Sequence, residues 1–269
     1  MTILRRIAIC LGLLASFAGG PVWAKDINIA VRSDGAWDFF KQVLEKAVEG
    51  TDYKLVTQTD LPQPRVEAML DQGELDFHVF VGGAARNARW TQIPVGLTGG
   101  YIGKRVLLVQ QKDLPKFAAI HSLDDLKASG LAGGFGQGWT DIDIWKANGL
   151  AYAERAGKWE LIYRQIGAPD HGIDYFSRGV LEAIPELKGL SDIPGLVLEP
   201  HLLLVYDADW TFYASKKVPA DLVALVRKRL EQMKADGSLE KMFKAQTKWA
   251  DAIAASHLDG RTVITLKMP

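Results

Sequence analysis

The chain has 269 residues, 48% of them hydrophobic, with 32 basic and 32 acidic side chains and a formal net charge of zero. That is ordinary globular composition, at a length that suits one large or two small domains and needs no disulfide staples. The charge balance excludes a dedicated nucleic-acid binder, which carries a basic excess or stripe.

The first 24 residues read as a cleavable secretory leader. Arg5 and Arg6 form its positive start, Ile7 to Phe17 its apolar stretch, and Gly19-Gly20-Pro21 breaks that stretch. Val22-Trp23-Ala24 sets small residues at the two positions that matter for cleavage before Lys25. The apolar run is too short for an ordinary spanning helix. Cleavage leaves 30 basic and 32 acidic groups and removes Cys10, the single cysteine. The mature chain then has neither thiol nor disulfide, and a bacterial periplasm is the expected location.

Asp26 to Val31 alternates like a strand. Arg32-Ser33-Asp34-Gly35 is a loop, and Trp37 to Val48 repeats its apolar residues at helical spacing. Leu55-Val56 marks a second strand. Arg65 to Gln72 is a short helix closed by Gly73, and Leu75 to Val81 is a third strand. This alternation predicts an open α/β sheet with parallel pairs.

Arg105 to Gln110 is a strongly apolar strand. Ser122 starts a helix, with Asp125 at capping-box spacing. The glycine-rich stretch Gly133 to Gly138 leads through Trp139-Thr140 into a helix from Asp141 to Ala147. A helix of undefined length follows Phe176. Leu202 to Tyr206 and Thr211 to Ser215 are strands. Asp221 to Ala235 is an amphipathic helix, and Leu239 to Trp249 continues a helical tail. The charged face of Arg227 to Lys244 reads as solvated helix surface.

No G-x-S-x-G is present, and the five histidines have no ligand-type spacing. The glycines match neither a dinucleotide fingerprint nor a P-loop. The pair Asp141 and Asp143 is either a cation contact or one helix-start residue beside an exposed neighbour. A glycine-rich helix entry offers unpaired N–H groups to a small anion, and Gly134, Gly136 and Gly138 permit close approach. The alternative is a plain strand–helix turn with Trp139 packed.

Five phrases stand in a fixed order: Leu70 to Phe77 (LDQGELDF), Arg86 to Val95 (RNARWTQIPV), His121 to Leu126 (HSLDDL), Ile173 to Val180 (IDYFSRGV) and Met233 to Phe243 (MKADGSLEKMF). With the glycine turn among them, the chain resembles bacterial extracellular solute-binding proteins of family 3, as an outlying branch. The resemblance implies a two-lobe α/β fold, the type 2 periplasmic binding protein fold, with two hinge crossings near Leu107–Gln111 and Tyr206–Thr211. Lobe 1 would hold 25–108 and 209–269, and lobe 2 would hold 109–208.

It implies further a non-enzymatic monomer that binds a small polar, anionic or amino-acid-like solute between the lobes. No cofactor and no nucleic acid are involved; an ABC permease or a membrane sensor is the partner. Arg86 stands nearest the family's carboxylate clamp, with Arg89 as rival. Gly138, Trp139 and Thr140 correspond to its glycine–threonine turn, with Asp141 beside them. Arg178 takes the place of an ammonium-binding aspartate and would favour an anion. Asp34 and Trp37 would line the cleft from lobe 1, though Trp37 suits the core equally. A second reading, a dehydratase-like enzyme on the same fold, would use Asp141 or Glu182 as its acid or base.

Overall fold

A computed structural model describes residues 25–33 and 37–269. The leader, its cleavage site, Cys10 and Asp34 lie outside the described residues.

The chain opens with β1 (Lys25–Val31), α1 (Asp38–Ala47), β2 (Tyr53–Thr59), α2 (Gln63–Gln72), β3 (Phe77–Val81), α3 (Ala84–Arg89) and β4 (Thr91–Ile93). It continues through β5 (Lys104–Gln110), α4 (Leu114–Ala118), α5 (Leu123–Ser129), β6 (Gly133–Gly136), α6 (Thr140–Ala147) and β7 (Tyr152–Arg155). Then come α7 (Ile162–Gln165), β8 (Tyr175–Gly179), α8 (Val180–Lys188), β9 (Leu196–Leu198) and β10 (Leu202–Val205). It closes with β11 (Trp210–Ala214), α9 (Ala220–Ala235), α10 (Ser238–Lys244), α11 (Thr247–Ala255) and β12 (Thr262–Thr265).

Two mixed sheets result. The first runs β2-β1-β3-β11-β4, with β1 parallel to both its neighbours and β11 antiparallel to β3 and β4. The second runs β12-β10-β5-β8-β6-β7, with β9 also on β5. The largest core runs from the first sheet onto one face of the second, where Val106, Val180 and Leu203 join Phe39, Leu44, Phe77 and Phe212; Leu107, Phe135, Trp145 and Leu204 anchor a core on the second sheet's other face. Each such side chain contributes roughly 1.5–3 kcal/mol on burial.

Local signals explain several elements. On α9 the buried positions Leu222, Val226, Leu230 and Met233 form one stripe, as the 3.6-residue period requires. Ser122 Oγ caps α5 by accepting from Asp125 N at 3.1 Å. Asp125 in turn accepts from the N–H of His121, one residue before the cap.

The chain crosses between sheets at 94–103 and 206–209. The first crossing lies earlier than the sequence pattern suggests, because β5 belongs wholly to the second sheet. Its run RVLLVQ is buried between β10 and β8, where a strand apolar on both faces belongs, rather than in a connector. The two crossings are pressed together. Tyr206 N donates to Gly103 O at 3.1 Å, and a Cβ on Gly103 would lie 2.2 Å from Tyr206 O.

Of the tail, helices α9 and α10 pack on α1, and α11 joins the same core: its Trp249 meets Phe39 and Phe40, and it packs on α8, whose Val180, Leu181 and Ala183 belong to that core. Strand β12 pairs in parallel with β10 of the second sheet. Its apolar Ile264 and the following Leu266 complete the second core, which holds them there.

Candidate functional site

The loop after β3 and the start of α6 face each other across a cleft of about 930 Å³, which residues 207–209 of the second crossing also line. Gly82-Gly83 turns the chain from β3 into α3 and delivers Arg86 to the cleft. Arg86 Nη1 donates to Val81 O at 2.7 Å and to Thr140 Oγ1 at 3.2 Å, which joins the two sheets' halves of the cleft. Its guanidinium lies 4.7 Å from the Phe80 ring centroid. Among the described residues no carboxylate lies within 4 Å of it. Arg86 is half-buried, and desolvation pulls its basicity below the usual value. A guanidinium has no neutral form at physiological pH, so Arg86 is a partly desolvated cation without a counter-ion.

Arg89 also reaches the cleft but is neutralised. It binds Glu67 at 2.6 Å and Asp71 at 2.7 Å, and it stacks on Trp90.

Arg178 does not face Arg86 across the cleft, contrary to expectation. It is buried on β8 at 5% exposure. Its Nε and Nη2 fork onto Glu186 at 2.8 and 2.6 Å, and Nη2 reaches Glu182 at 3.0 Å. Trp139, Trp159 and Phe176 surround the guanidinium at 5.4, 5.0 and 5.2 Å. This positive charge is spent inside the second lobe. Trp139 accordingly packs inward against Phe176 and Trp159.

Asp141 is drawn the same way. It pairs with Arg105 at 2.8 Å and accepts from the Tyr206 hydroxyl at 2.7 Å. Arg105 also reaches Glu182 at 3.7 Å, so one buried polar chain runs from Tyr206 through Asp141, Arg105, Glu182, Arg178 and Glu186 to the Tyr163 hydroxyl. Burial raises the Glu182 carboxyl above its ordinary value, against the pull of Arg178. For Glu186 burial acts the same way, but the Arg178 fork and the Tyr163 hydroxyl outweigh it and hold the carboxyl low.

Trp37 is a packing residue. Its ring stacks on His78 at 4.7 Å and meets Phe40 edge-on at 5.3 Å. His78 Nδ1 is buried with no partner among the described residues. Burial, helped by the charge of Arg86, pushes the imidazole down to about 3.

The glycine turn divides its tasks. A Cβ at Gly136 would lie 2.6 Å from Trp139 Nε1, so that glycine makes room for the indole. The Gly138 N–H is taken by Glu154 at 3.0 Å and the Trp139 N–H by Gly136 O. Of the expected donors, the N–H groups of Thr140 and Asp141 have no partner among the described residues. The Thr140 hydroxyl already meets Arg86.

No family model and no curated protein matches the chain. Solved structures do match its fold. The substrate-binding protein of an amino-acid ABC transporter is 15% identical, with a TM-score of 0.58 over 83% of this chain and 100% of that one. A Streptococcus pneumoniae amino-acid ABC transporter substrate-binding protein bound to L-arginine is 17% identical, with a TM-score of 0.54 over 86% of this chain and 95% of that one. An ancestral amino-acid-binding protein, a precursor of cyclohexadienyl dehydratase, is 14% identical, with a TM-score of 0.54 over 82% and 94%.

The chain has the type 2 periplasmic binding protein fold.

In that fold the cleft lies between the lobes, at the ends of the strands and beside the crossings, where a hinge can close it. The residues that sequence reasoning missed are Arg105, Tyr206, Glu186 and Asp209, which hold the site's buried contacts. Arg105, Tyr206 and Asp209 meet partners far away in the chain, and no local motif announces them. Asp209 shows why. Its carboxylate accepts from Thr98 N and Oγ1, Gly100 N at 2.9 Å and Trp210 N at 2.8 Å, fastening one crossing to the other. Among the described residues no cluster of His, Cys, Asp or Glu suits a metal, and no helix is long and apolar enough to cross a membrane.

Proposed function

We propose that the chain is a solute-binding protein that captures a small carboxylate-bearing solute between its two lobes and presents it to a membrane permease or sensor. One observation carries this reading: Arg86, a half-buried cation with no counter-ion, faces Thr140 of the other lobe inside the interlobe cleft. A guanidinium fork matches a carboxylate, and the Thr140 hydroxyl and the free N–H groups at the start of α6 add donors. Binding energy of this kind, made from both sides of a cleft, favours the closed arrangement. The proteins of similar fold are named for amino-acid transport, and one is bound to L-arginine; such ligands carry the required carboxylate.

Arg178 contributes no charge to the cleft, so the ligand need not be anionic overall. Asp141 and Glu182, the acids an enzyme would have used, are held by Arg105 and Arg178, and binding without catalysis is the reading favoured. We propose export to the periplasm by cleavage after Ala24, which N-terminal sequencing of exported protein tests directly: it should begin at Lys25.

The functional test is a thermal-shift screen of amino acids, dicarboxylates and sugar acids on wild type and Arg86→Ala. At least one carboxylate should raise the wild-type melting temperature and fail to raise that of Arg86→Ala. A screen in which no carboxylate shifts the wild type contradicts the reading.

A further inference from the structure

The cleft has no aromatic wall among the described residues. Trp37 packs on His78 and Phe40, and Trp139 packs on Phe176 and Trp159. Six nonpolar side chains line the cleft: Ala84, Ala85, Ala147, Ala208, Met268 and Pro269. Four of these are alanines, so nonpolar surface larger than a methyl group comes from Met268 and Pro269. Met268 is 36% exposed, and it is one of three large hydrophobic side chains exposed among the described residues.

Both residues belong to a segment fastened at three points. After α11 the chain passes from the first core to the second sheet, and buried Arg261 clasps that passage. Its Nε donates to Ser256 O at 2.9 Å, and its Nη1 donates to Glu199 O at 2.6 Å and to Leu202 O at 2.9 Å. Strand β12 then pairs with β10. Beyond the strand, the side chain of Asn148 takes the place of a partner strand. Lys267 N donates to Asn148 Oδ1 at 2.9 Å, and Asn148 Nδ2 donates to Lys267 O at 2.9 Å and to Ile144 O at 2.7 Å. Asn148 is 4% exposed and stands at the end of α6, so these bonds are sheltered from water. Met268 directly follows the latched residue and Ala147 directly precedes the latch, which sets the two on one stretch of cleft wall. The charges on the same helix, Asp143 and Lys146, stand 3.9 Å apart and offset each other.

From this we infer that the segment after β12 is the apolar wall of the cleft: Met268 contacts the nonpolar part of the solute, and Asn148 is the positioning residue that holds it there. The inference rests on the solute-binding reading above and adds the kind of solute, a carboxylate that carries an aliphatic portion. A thioether chain adapts its shape to such a portion, so selection is graded by apolar area.

The test is calorimetry with two homologous series, straight-chain carboxylates from acetate to octanoate and L-2-amino acids from alanine to norleucine. The proteins are wild type, Met268→Ala, Met268→Gln and Asn148→Ala, each at a temperature where its melt shows it folded. Wild-type affinity should climb by up to about fourfold per methylene once the chain reaches Met268, and the length at which the climb starts measures the span from Arg86. Met268→Ala and Met268→Gln should flatten the climb, weakening the longest members by about threefold to tenfold and the shortest hardly at all. Asn148→Ala should flatten it in the same way. A residue that only stabilised the fold would lower the melting temperature and leave the ratio of long to short affinities unchanged, and that result would overturn the role given to Asn148. Wild-type affinity independent of chain length, or a climb that survives both Met268 substitutions, overturns the inference and leaves the solute-binding reading standing. If no member of either series binds wild type, the inference falls, and the wider carboxylate screen decides the solute-binding reading separately.

Discussion

Replacing Arg178 by alanine separates a structural guanidinium from a ligand-binding one. The side chain is 5% exposed and carries the Glu186 fork at 2.8 and 2.6 Å, the Glu182 contact at 3.0 Å, and three aromatic neighbours. Alanine strands two partly buried carboxylates. Removing one partner of a buried pair costs about 3–5 kcal/mol. For a chain of this size each kcal/mol lowers the melting temperature by about 2–4 °C, so the loss should be about 6–20 °C. Arg178→Lys should recover only part of it, because an ammonium cannot reproduce the bidentate fork. The assay is thermal melting by circular dichroism, paired with calorimetry on the best carboxylate from the screen. The network account expects a large drop in stability, with affinity nearly unchanged at a temperature where the variant is folded. An unchanged melting temperature with lost affinity would refute it and return Arg178 to the cleft.

Three other outcomes follow from the same contacts. Glu182 has a carboxyl raised by burial, so the stability it contributes is complete below the ordinary glutamate value and is lost as pH rises through the raised one; Glu182→Gln should remove that loss with rising pH in melts across pH. His78 titrates near 3 when folded and near 6.5 when unfolded, so its contribution is complete above 6.5 and falls with pH, reaching a loss of about 2 kcal/mol at about pH 5; His78→Phe should flatten the acid limb of the stability profile. Gly103→Ala would set a methyl 2.2 Å from Tyr206 O, and it should lower the unfolding free energy from denaturant melts by at least about 1–3 kcal/mol as the crossings are forced apart.

The parts of the fold that depend on local pattern were legible. The alternating start produced β1, α1, β2, α2 and β3; the stripe on α9 and the Ser122 cap are where the periods and spacings put them. What depends on distant partners was not. Arg178 looked like a cleft cation because its position follows a strand, yet Glu186, eight residues on, comes round one face of α8 to meet it. Asp141 at a helix start could face the ligand or the hinge, and Tyr206, 65 residues away, decides for the hinge. The pairing of β12 with β10 joins segments separated by a helical tail, and four residues of alternating pattern carry no address. Arg86 was singled out by its place after the third strand. The sequence could not separate it from Arg89, three residues on; the ion pairs of Arg89 with Glu67 and Asp71 are what favour proposing Arg86.

The most direct measurement is a calorimetric titration of the strongest carboxylate from the screen into wild type and Arg86→Ala. A charge-assisted contact contributes roughly 1.5–3 kcal/mol, so wild type should bind one ligand per chain and the variant about tenfold to a hundredfold more weakly. Equal affinity in both proteins would contradict a carboxylate held at Arg86 between the lobes.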